Sequence, residues 1–592
     1  MLTERQFELL RALAEGAFGS EAVVQPCHTD NDNETAVREL TDAGLAADGA
    51  ITQAGLDALE PYRVRNAVIM AAGLSSRFAP ISYEKPKGVL IVRGEVLIER
   101  QIEQLREAGV RDITVVVGYK KEYFFYLARK LGVRIVVNPE FASRNNHASL
   151  MVARKHLGNT YICSSDDYFL DNPFHQYEYR PFYAATYIEG PTKEWCIGTN
   201  ADGVIESVAV GGSDSWVMLG HAYFDQAFSK RFVEVLEEEY DLPETADKLW
   251  EELYLEHVDE LPMVVRRYEP GFVNEFDSLD ELRDFDPYFL RNVDSQAFDN
   301  IVAVLGCPIE DVHDVYPLKQ GLTNLSCHFA VGDKEYVYRH PGVGTELIID
   351  REAELVAQSV AKTLGIDDTY IYQDAQTGWK ISRFIPNASP LDPADAGQVR
   401  RAMQMARRLH ESPMTVQREF DFYRESLKYE RLYEEIEGPV NIGGFREMAD
   451  KVARLAAYVE ADGAKHCLTH NDFFNLNFLI DASDKMYLID WEYSGMSDYA
   501  SDFGTFVVCC ELDRDQAETA LADYFDRPAT PEEWRHNFAH VVLAGWCWYL
   551  WSLYKEAQGE CVGEWIYIYY NYADAYLDEV LAAYEAAEAD RA

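Results

Sequence analysis

Basic side chains are scarce in this chain of 592 residues. Lysine and arginine together number 54, against 101 aspartates and glutamates, which gives a net charge of -47. Nucleic acids and anionic membranes attract cationic protein surfaces, so this charge argues against both as partners. Apolar residues still make up 48% of the chain, which is enough for several buried cores.

Cysteine spacings typical of small modules and long apolar segments are also missing. The ten cysteines include no C-x-x-C pair, which indicates free thiols in a reducing, cytoplasmic environment. The best membrane candidate, residues 538–554, is slightly short for a bilayer and contains a histidine and five Trp or Tyr residues. We therefore expect a buried helix in this segment and no membrane insertion.

Changes in sequence pattern divide the chain into three predicted domains, 1–62, 63–292 and 293–592. Residues 1–62 predict helices around a small wing at Ile51 and are similar to winged-helix modules. This segment contains three arginines, no lysine and twelve acidic residues, whereas a DNA-recognition helix needs basic phosphate contacts. We expect a docking or regulatory module.

Strands and helices alternate in the second predicted domain. VRNAVIMAAG from Val64 reads as an apolar strand that enters a glycine loop. Strands ITVVVGY and VRIVVNP follow, and the amphipathic stretch LIERQIEQLREAG lies before them. This alternation predicts a Rossmann-like parallel α/β sheet.

The loop after the first of these strands predicts a phosphate site. AAGLSSRF, Ala71–Phe78, is followed by KPK at 85–87. Small residues let backbone N–H groups approach phosphates, and Arg77 and the two lysines add positive charge. The compound pattern resembles the nucleotidyltransferase family that makes sugar nucleotides and CDP-alcohols.

Further motifs make residues 64–285 similar to the Lic-type CTP:phosphocholine cytidylyltransferases. They are EVLIERQIEQLR, the pair Gly118–Tyr119, RNNHASLMVAR and SSDDYFLDNPF. The resemblance implies CTP and Mg²⁺, with Lys87 and Arg77 offsetting phosphate charge in catalysis. It implies metal binding by Asp166 and Asp277, with Asp167 as the alternative to Asp166. Asn145 is a further candidate for positioning a substrate. The implied nucleotide-binding residues are Ala72, Gly73, Lys85 and Asn146, and the implied choline-binding residues are Trp195 and Trp250.

The third predicted domain carries a kinase-like catalytic pattern. HNDFFNLN, His470–Asn477, precedes the predicted strand MYLIDWEY, Met486–Tyr493. An Asp, an Asn five residues later and an Asp closing the next strand form the catalytic set of the kinase fold. Asp472 would deprotonate the substrate hydroxyl, and Asn477 and Asp490 would hold Mg²⁺. A predicted hairpin at 325–340 followed by helices indicates a two-lobed α+β domain.

Residues 312–588 resemble the choline kinases and, more distantly, the aminoglycoside phosphotransferases. PLKQGLTNLS, which contains Asn324, is similar to their nucleotide loop, so ATP is the implied phosphate donor. YVYRHPGVGTE places Arg339 where most kinases have a phosphate-anchoring lysine. Glu354 is its expected ion-pair partner, with Glu352 as the alternative.

Aromatic residues near the chain end suggest a site for a quaternary ammonium group. WYLW places Trp548 and Trp551 three residues apart, and NYADAY contains Tyr572. Choline has no N–H to donate, so cation–π contacts and nearby carboxylates must hold it. The resemblance to choline kinases implies that these three residues bind choline, with Glu511 as a countercharge.

The two predicted sites together suggest a bifunctional enzyme that phosphorylates choline with ATP and converts phosphocholine and CTP to CDP-choline and pyrophosphate. An enzyme pair acting on ethanolamine or a sugar is one alternative. A ligand-sensing transcriptional regulator and a scaffold with inactive sites are others. The sequence does not specify the oligomeric state.

Overall fold

A computed structural model describes residues 2–15, 30–318, 324–342 and 344–591, which form two compact units. The first unit extends to Asn300 and adds 308–310 and 314–317, and the second takes the remainder. The division thus falls within 301–318, close to the predicted boundary at 293. Residues 1–62 belong to the first unit. Their assignment as a separate domain stays a prediction.

The N-terminal segment folds as helices around a very short hairpin. Its elements are α1 (Glu4–Glu15), α2 (Asp30–Asp42), β1 (Ala46–Ala47), β2 (Ala50–Ile51) and α3 (Gln53–Leu59). Thr52 caps α3 by accepting a hydrogen bond from the Gly55 N–H at 3.1 Å. The hairpin contains Ile51 and α3 begins beside Thr52, both as expected, while the winged-helix resemblance itself stays a prediction.

This segment shares its core with the rest of the first unit. Phe7 and Leu10 of α1 are buried in one cluster with Tyr177. The Glu15 carboxylate accepts from the Gln176 N–H at 3.0 Å and lies 3.1 Å from His175 Nδ1. The segment is therefore docked on residues 175–177 by both apolar and polar contacts.

The first unit is built around a mixed seven-stranded sheet in the order β12-β10-β11-β8-β3-β6-β7. Beyond the N-terminal segment, the strands of this unit are β3 (Asn66–Ala71), β4 (Ile91–Val92), β5 (Glu95–Val96), β6 (Asp112–Val117), β7 (Arg134–Val137), β8 (Thr160–Ser164), β9 (Tyr168–Phe169), β10 (Phe182–Thr199), β11 (Ile205–Phe224), β12 (Val264–Tyr268) and β13 (Val273–Asn274). Strands β4 and β5, and likewise β9 and β13, form separate two-stranded sheets. Its α-helices are α4 (Ile81–Glu84), α5 (Leu97–Glu107), α6 (Phe125–Leu131), α7 (His147–Ala153), α8 (Gln226–Glu239), α9 (Trp250–Glu256), α10 (Leu279–Phe285) and α11 (Phe289–Asn292).

The parallel part of this sheet follows the sequence pattern. Strand β3 pairs in parallel with β6 and β8, and β6 pairs in parallel with β7. Ala67, Val68 and Ile69 of β3 are fully buried, because a central parallel strand is covered on both faces. The long antiparallel hairpin of β10 and β11 was not predicted; its strands contain the polar segments EGPTKEW and GGSDS and are half-exposed.

The second unit has the two parts expected of a kinase-like domain. Its sheet has the order β14-β15-β16-β18-β17, and its helices form the larger part. The strands are β14 (Val312–Pro317), at the division between the units, β15 (Asn324–Val331), β16 (Lys334–Pro341), β17 (Tyr370–Gln373), β18 (Lys380–Arg383), β19 (Ser389–Pro390), β20 (His466–Thr469), β21 (Phe478–Ile480), β22 (Met486–Leu488) and β23 (Gly495–Asp498). After α12 (Gln296–Leu305), also at the division, come α13 (Arg351–Thr363), α14 (Ala396–His410), α15 (Phe422–Glu437), α16 (Phe445–Asp462), α17 (Ala500–Cys509), α18 (Arg514–Phe525), α19 (Pro531–Ala557) and α20 (Trp565–Arg591).

Several local predictions are confirmed in the second unit. Val331 pairs with Lys334, which leaves Gly332 and Asp333 as the hairpin turn. Helix α19 is buried along 535–555, because it packs in the main apolar cluster of the unit. Among the described residues no helix is long and apolar enough to cross a membrane. Nine cysteines lie in the described part of the chain, and all of them are free.

Candidate active sites

The first candidate site is a cavity of about 550 Å³ at the carboxyl ends of β3 and β8. In parallel α/β sheets this edge is where ligands bind. The cavity is lined by most of the residues predicted for nucleotidyl transfer, namely Ala72, Gly73, Arg77, Lys87, Asn145, Asn146, Asp166 and Asp277.

Lys87 is the most buried cation of this cavity. Its side chain is 8% exposed, its Nζ lies 2.7 Å from Asp166 Oδ2, and it also donates to the Phe276 carbonyl. The next residue, Gly88, allows the close approach, because a Cβ there would lie 2.8 Å from Ser165 Oγ. The tripeptide at 85–87 and the following Gly88 thus place the Lys87 ammonium group against the end of β8.

Arg77 and Asp277 form a more open pair at the same cavity. Arg77 Nη1 lies 2.7 Å from Asp277 Oδ1, with side chains 68% and 43% exposed. Exposed ion pairs of this kind contribute little to folding, typically about 0–1 kcal/mol. Both side chains can therefore exchange partners when a charged ligand enters.

Carboxylates are crowded between these cations. Desolvation in the cleft, followed by the negative charge of Asp166, raises the pKa of Glu275 to about 7. Burial, followed by the charges of Glu275 and Asp166, raises the pKa of Asp167 well above its usual value. Glu275 lines the cavity with Asp166 and Asp277, although only Asp277 was selected from the motif NEFD. A cluster of hard oxygen donors with excess negative charge fits Mg²⁺.

Two of the predicted nucleotide-binding residues are placed differently from the others. Lys85 lies outside the cavity lining and donates to the Asp294 carbonyl. Asn146 does line the cavity, but its amide donates to Glu251 at 3.1 Å and its oxygen accepts from the Trp250 N–H. The position of Lys85 argues against direct contact with the nucleotide.

The two tryptophans predicted to bind choline in this unit do not line the cavity either. Trp250 is 1% exposed and packs against Tyr183 and Phe224 at ring-centroid distances of 5.7 and 5.3 Å. It is a core residue, and the prediction of a choline contact is not supported. Trp195 lies half-buried on β10 against the same core cluster, so its binding role stays a prediction.

The second candidate site surrounds the predicted catalytic aspartate of the kinase-like unit. Asn477 Nδ2 donates to Asp472 Oδ2 at 2.8 Å. Desolvation, followed by the charge of Asp490, raises the pKa of Asp472 well above its usual value. Strand β22 ends at Leu488, so Asp490 lies in the loop beyond it, with a left-handed φ of 67°. That backbone costs roughly 1–2 kcal/mol, which tertiary contacts must offset.

Arg339 on the sheet of this unit pairs with two carboxylates, Glu354, its predicted partner, and Asp490, which was predicted to hold Mg²⁺. Its Nη1 lies 2.6 Å from Asp490 Oδ1, and its Nη2 donates to Glu354. Glu354 is fully buried, whereas Glu352 is exposed. The partner of Arg339 is therefore Glu354, as expected, and not the alternative Glu352. Although burial alone would raise it, the charges of Arg339, Lys380 and Arg351 lower the pKa of Glu354 to about 2.

Further polar residues belong to this network. Lys380 Nζ lies 3.6 Å from Glu354 and 3.7 Å from Asp490. Asn324 Nδ2 donates to Glu492 Oε2 at 2.7 Å. Burial, followed by the charge of Asp490, raises the pKa of Glu492 to about 7. Lys380 and Glu492 were missed, although Glu492 follows Asp490 in the motif IDWEY. Residues 319–323 of the predicted nucleotide loop lie outside the described residues.

Asp502 holds the catalytic loop in place. Its buried carboxylate accepts hydrogen bonds from the N–H groups of His470 and Asn471, at 3.0 and 2.7 Å, and lies 2.9 Å from His410 Nε2. Asp502 lies in the first turn of α17, which begins at Ala500. Its contacts with the catalytic loop and with His410 join residues that are 31 or more positions apart in the sequence.

The aromatic residues predicted to bind choline in this unit are partly assembled. Trp548 and Trp551 lie on α19 with ring centroids 6.2 Å apart and are 4% and 5% exposed. Tyr493, two residues before β23, contacts Trp548 at 5.2 Å. Tyr572 donates to the Leu512 carbonyl at 2.9 Å, and Glu511 beside that residue is exposed. Choline binding by these residues stays a prediction.

Fold and sites together define a nucleotidyltransferase followed by a kinase-fold phosphotransferase. Residues 67–183 match the MobA-like NTP transferase domain, and 314–536 match the phosphotransferase enzyme family. The chain is 33% identical over 217 residues to a choline-phosphate cytidylyltransferase of Streptococcus pneumoniae, covering 37% of this chain and 95% of the relative. It is 35% identical over 236 residues to a 2-aminoethylphosphonate cytidylyltransferase of Lancefieldella rimae, covering 38% of this chain and 95% of the relative.

The chain therefore belongs to the nucleotidyltransferase family of these cytidylyltransferases. Its second half is similar to the crystal structure of the choline kinase LicA from Streptococcus pneumoniae, with 26% identity and a TM-score of 0.42. That alignment covers 48% of this chain and 97% of the other. The two family matches, at 67–183 and 314–536, establish the fusion of a nucleotidyltransferase with a phosphotransferase.

Proposed function

We propose that the chain makes CDP-choline in two steps, phosphorylating choline with ATP in the second unit and joining phosphocholine to CTP in the first. The observation that carries the proposal is that both sets of phosphate-handling residues are intact on one chain. The similarity to a choline-phosphate cytidylyltransferase over 95% of its length supports the second step.

In the kinase step, Asp472 is placed to accept the proton of the choline hydroxyl as that oxygen attacks the γ-phosphorus of ATP. The bond from the γ-phosphorus to the bridging oxygen breaks, and ADP leaves. Arg339, held by Glu354, offsets phosphate charge. Asn477 and Asp490 would hold Mg²⁺, which supplies further positive charge beside the ATP phosphates.

In the cytidylyl step, a phosphate oxygen of phosphocholine attacks the α-phosphorus of CTP and pyrophosphate leaves. The attacking group is already anionic, so no general base is required. Lys87 and Arg77 line the cavity and would offset the charge that develops on the α-phosphate and pyrophosphate. Asp166, Glu275 and Asp277 would hold Mg²⁺. The positive charge of that ion would add to the charges of Lys87 and Arg77.

A cytidylyltransferase for 2-aminoethylphosphonate is the second candidate, because one relative of that name is 35% identical over 95% of its length. The attached phosphotransferase favours the first proposal. A kinase makes a phosphate ester from an alcohol, whereas a phosphonate has a C–P bond that phosphorylation of a hydroxyl cannot form.

The deciding experiment offers the chain matched substrates and follows the products by phosphorus NMR. With Mg²⁺ and ATP, choline and ethanolamine are compared as phosphate acceptors. With Mg²⁺ and CTP, phosphocholine, phosphoethanolamine and 2-aminoethylphosphonate are compared. We expect phosphocholine from the first reaction and CDP-choline from the second. Turnover of the phosphonate with CTP, without phosphorylation of choline, would refute the proposal.

A further inference from the structure

Asp498, His536 and His540 of the second unit form a cluster that neither proposed reaction uses. Asp498 ends β23, and the two histidines are one turn apart on α19, so they share a helix face. His536 Nε2 lies 3.0 Å from both carboxylate oxygens of Asp498, and His540 Nε2 lies 3.6 Å from one of them. All three potential ligand atoms lie within 4.8 Å of one another.

These separations match a four-coordinate metal site. Zn²⁺ binds histidine nitrogen and carboxylate oxygen at about 2.0–2.2 Å in tetrahedral geometry, so neighbouring ligand atoms lie roughly 3.3 Å apart. The two measured separations, 3.0 and 3.6 Å, lie on either side of that value. Two imidazoles and one carboxylate are a ligand set that suits zinc and related divalent transition metals.

A second carboxylate orients one of the imidazoles. Asp462 Oδ2 lies 3.0 Å from His536 Nδ1 and also accepts from the Tyr584 hydroxyl at 2.5 Å. The Nε2 atom of His536 is thereby directed at Asp498. Metal-ligating histidines commonly have such a carboxylate on the other ring nitrogen.

His540 is buried but only loosely paired. Its side chain is 5% exposed, its Nε2 comes no closer than 3.6 Å to Asp498, and neither of its ring nitrogens has a hydrogen-bond partner. It lines a cavity of about 280 Å³ together with Asp498. The cavity also has Glu419 and Glu460 in its lining, and Glu419 is 69% exposed, which gives a cation an acidic route inward.

Carboxylates and basic side chains both face the cluster. Asp462 and Asp498 lie 3.0 Å from the two ring nitrogens of His536. Arg535 adds a weaker contact to Asp462 at 3.4 Å, while His466 and Arg424 lie in the lining of the cavity. A divalent cation at the cluster would offset the negative charge of these carboxylates.

We propose that Asp498, His536 and His540 bind a divalent transition-metal ion of the zinc class, with Asp462 orienting His536 and a fourth position open to the cavity. The ion would join α19 to β23. Strand β23 pairs with β20, which leads directly into the catalytic loop at 470–477. The expected role is therefore stabilisation of the second unit, in addition to the reactions proposed above.

The test uses the full chain after removal of metal with a chelator, in buffer with excess Mg²⁺ to occupy sites made of oxygen ligands. Zn²⁺ binding is measured by calorimetry, and Co²⁺ is added separately as a spectroscopic probe. We expect one ion per chain, a higher melting temperature, and the intense visible absorption of four-coordinate Co²⁺. Neither readout depends on the substrates of the enzyme.

His540→Gln is the main variant, because its ring makes no hydrogen bond whose loss would unfold the metal-free protein. We expect at least a tenfold weaker Zn²⁺ affinity and no Co²⁺ absorption, with the metal-free melting temperature near that of the parent. Asp462→Asn should weaken binding by about 10–100-fold. His466→Gln is the matched control, since His466 lies in the same cavity lining outside the cluster, and should bind as the parent does.

Unchanged Zn²⁺ affinity in His540→Gln would overturn the proposal, as would a parent protein that binds no Zn²⁺ at micromolar concentration. In either case the cluster is an imidazolium–carboxylate ion pair only. A loss of binding in His466→Gln equal to that in His540→Gln would also contradict the assignment, because the effect would not be specific to the three ligands.

Discussion

The two active sites hold their cations in different ways, although both handle nucleotide phosphates. In the first unit Lys87 and Arg77 pair with carboxylates that line the substrate cavity, and Arg77 is largely exposed. In the second unit Arg339 and two further cations surround Glu354, which is fully buried. The first arrangement has one buried cation, Lys87, and one exposed ion pair, Arg77 with Asp277, whereas the second is a closed ionic network.

This difference predicts which substitutions affect activity and which affect the fold. Exposed pairs contribute little to stability, so changes at Arg77 or Asp277 should alter turnover alone. Lys87 is buried, so its loss should lower the stability of the first unit as well. Removing one member of a buried network leaves the other charges without compensation in a medium that solvates them poorly. Changes in the second site can therefore reduce both catalysis and stability, and the predictions below separate the two effects.

The largest effect is expected for Asp472→Asn in the second site. The variant cannot accept the substrate proton, and a positioned general base contributes about 10²–10⁴ in rate. We expect that loss in phosphorylation of choline, with nearly unchanged cytidylyl transfer from added phosphocholine. Asp484→Asn, at an 80% exposed side chain, is the control and should retain both activities. Equal loss of both reactions in Asp472→Asn would show that the sites are not independent.

Glu354→Gln tests the closed network directly. Arg339, Arg351 and Lys380 would lose their shared anion, and breaking a buried ion pair costs about 3–5 kcal/mol. Hydrogen-exchange mass spectrometry should show reduced amide protection in peptides from the second unit. Protection in peptides from the first unit should be unchanged. Glu352→Gln, two residues earlier on the exposed face of α13, should change stability by no more than about 0.5 kcal/mol. Similar behaviour of the two variants would contradict the network.

Lys87→Ala tests the candidate site of the first unit. It removes a charge that stabilises the transferring phosphates, and one such electrostatic donor is typically worth about 10²–10³ in rate. We expect that loss in cytidylyl transfer, with normal phosphorylation of choline. The first unit should also lose stability, because Asp166 loses its buried cation. Lys85→Ala is a matched control, since its ammonium group lies outside the cavity, and should lose less than about tenfold, below that typical range. A larger loss in the control than in Lys87→Ala would reverse the assignment.

The smallest effect is expected for Trp551→Phe in the predicted choline pocket. The weaker aromatic face should reduce a cation–π attraction of about 0.5–2 kcal/mol, so the KM for choline should rise several-fold and that for ethanolamine less. Trp546→Phe is the control, because Trp546 is equally buried on α19 but faces Phe445 at 5.1 Å. Equal changes for both alcohols would make Trp551 a core residue only.

Much of this molecule can be predicted from its sequence, because the relevant patterns are local. The run after Val64, the turn at Gly332–Asp333 and the helix at 351–363 follow from apolar periodicity and turn residues. The spacing from Asp472 to Asn477 and Asp490 also identifies a catalytic loop. In each case the physical constraint acts over fewer than about twenty neighbouring residues.

Other features depend on contacts between distant segments. Glu275 lies at the cavity, Lys380 belongs to the ion network, and Asp502 holds the catalytic loop, yet nothing in their local sequence indicates these roles. Trp250 and Trp551 are both buried aromatic residues, and only the packing around each ring distinguishes a core position from a candidate binding position. The sequence determined the kinds of chemistry that this chain carries, because motif residues need fixed local spacing. The tertiary structure decided which charges meet, because burial and ion pairing depend on residues that are far apart in the chain.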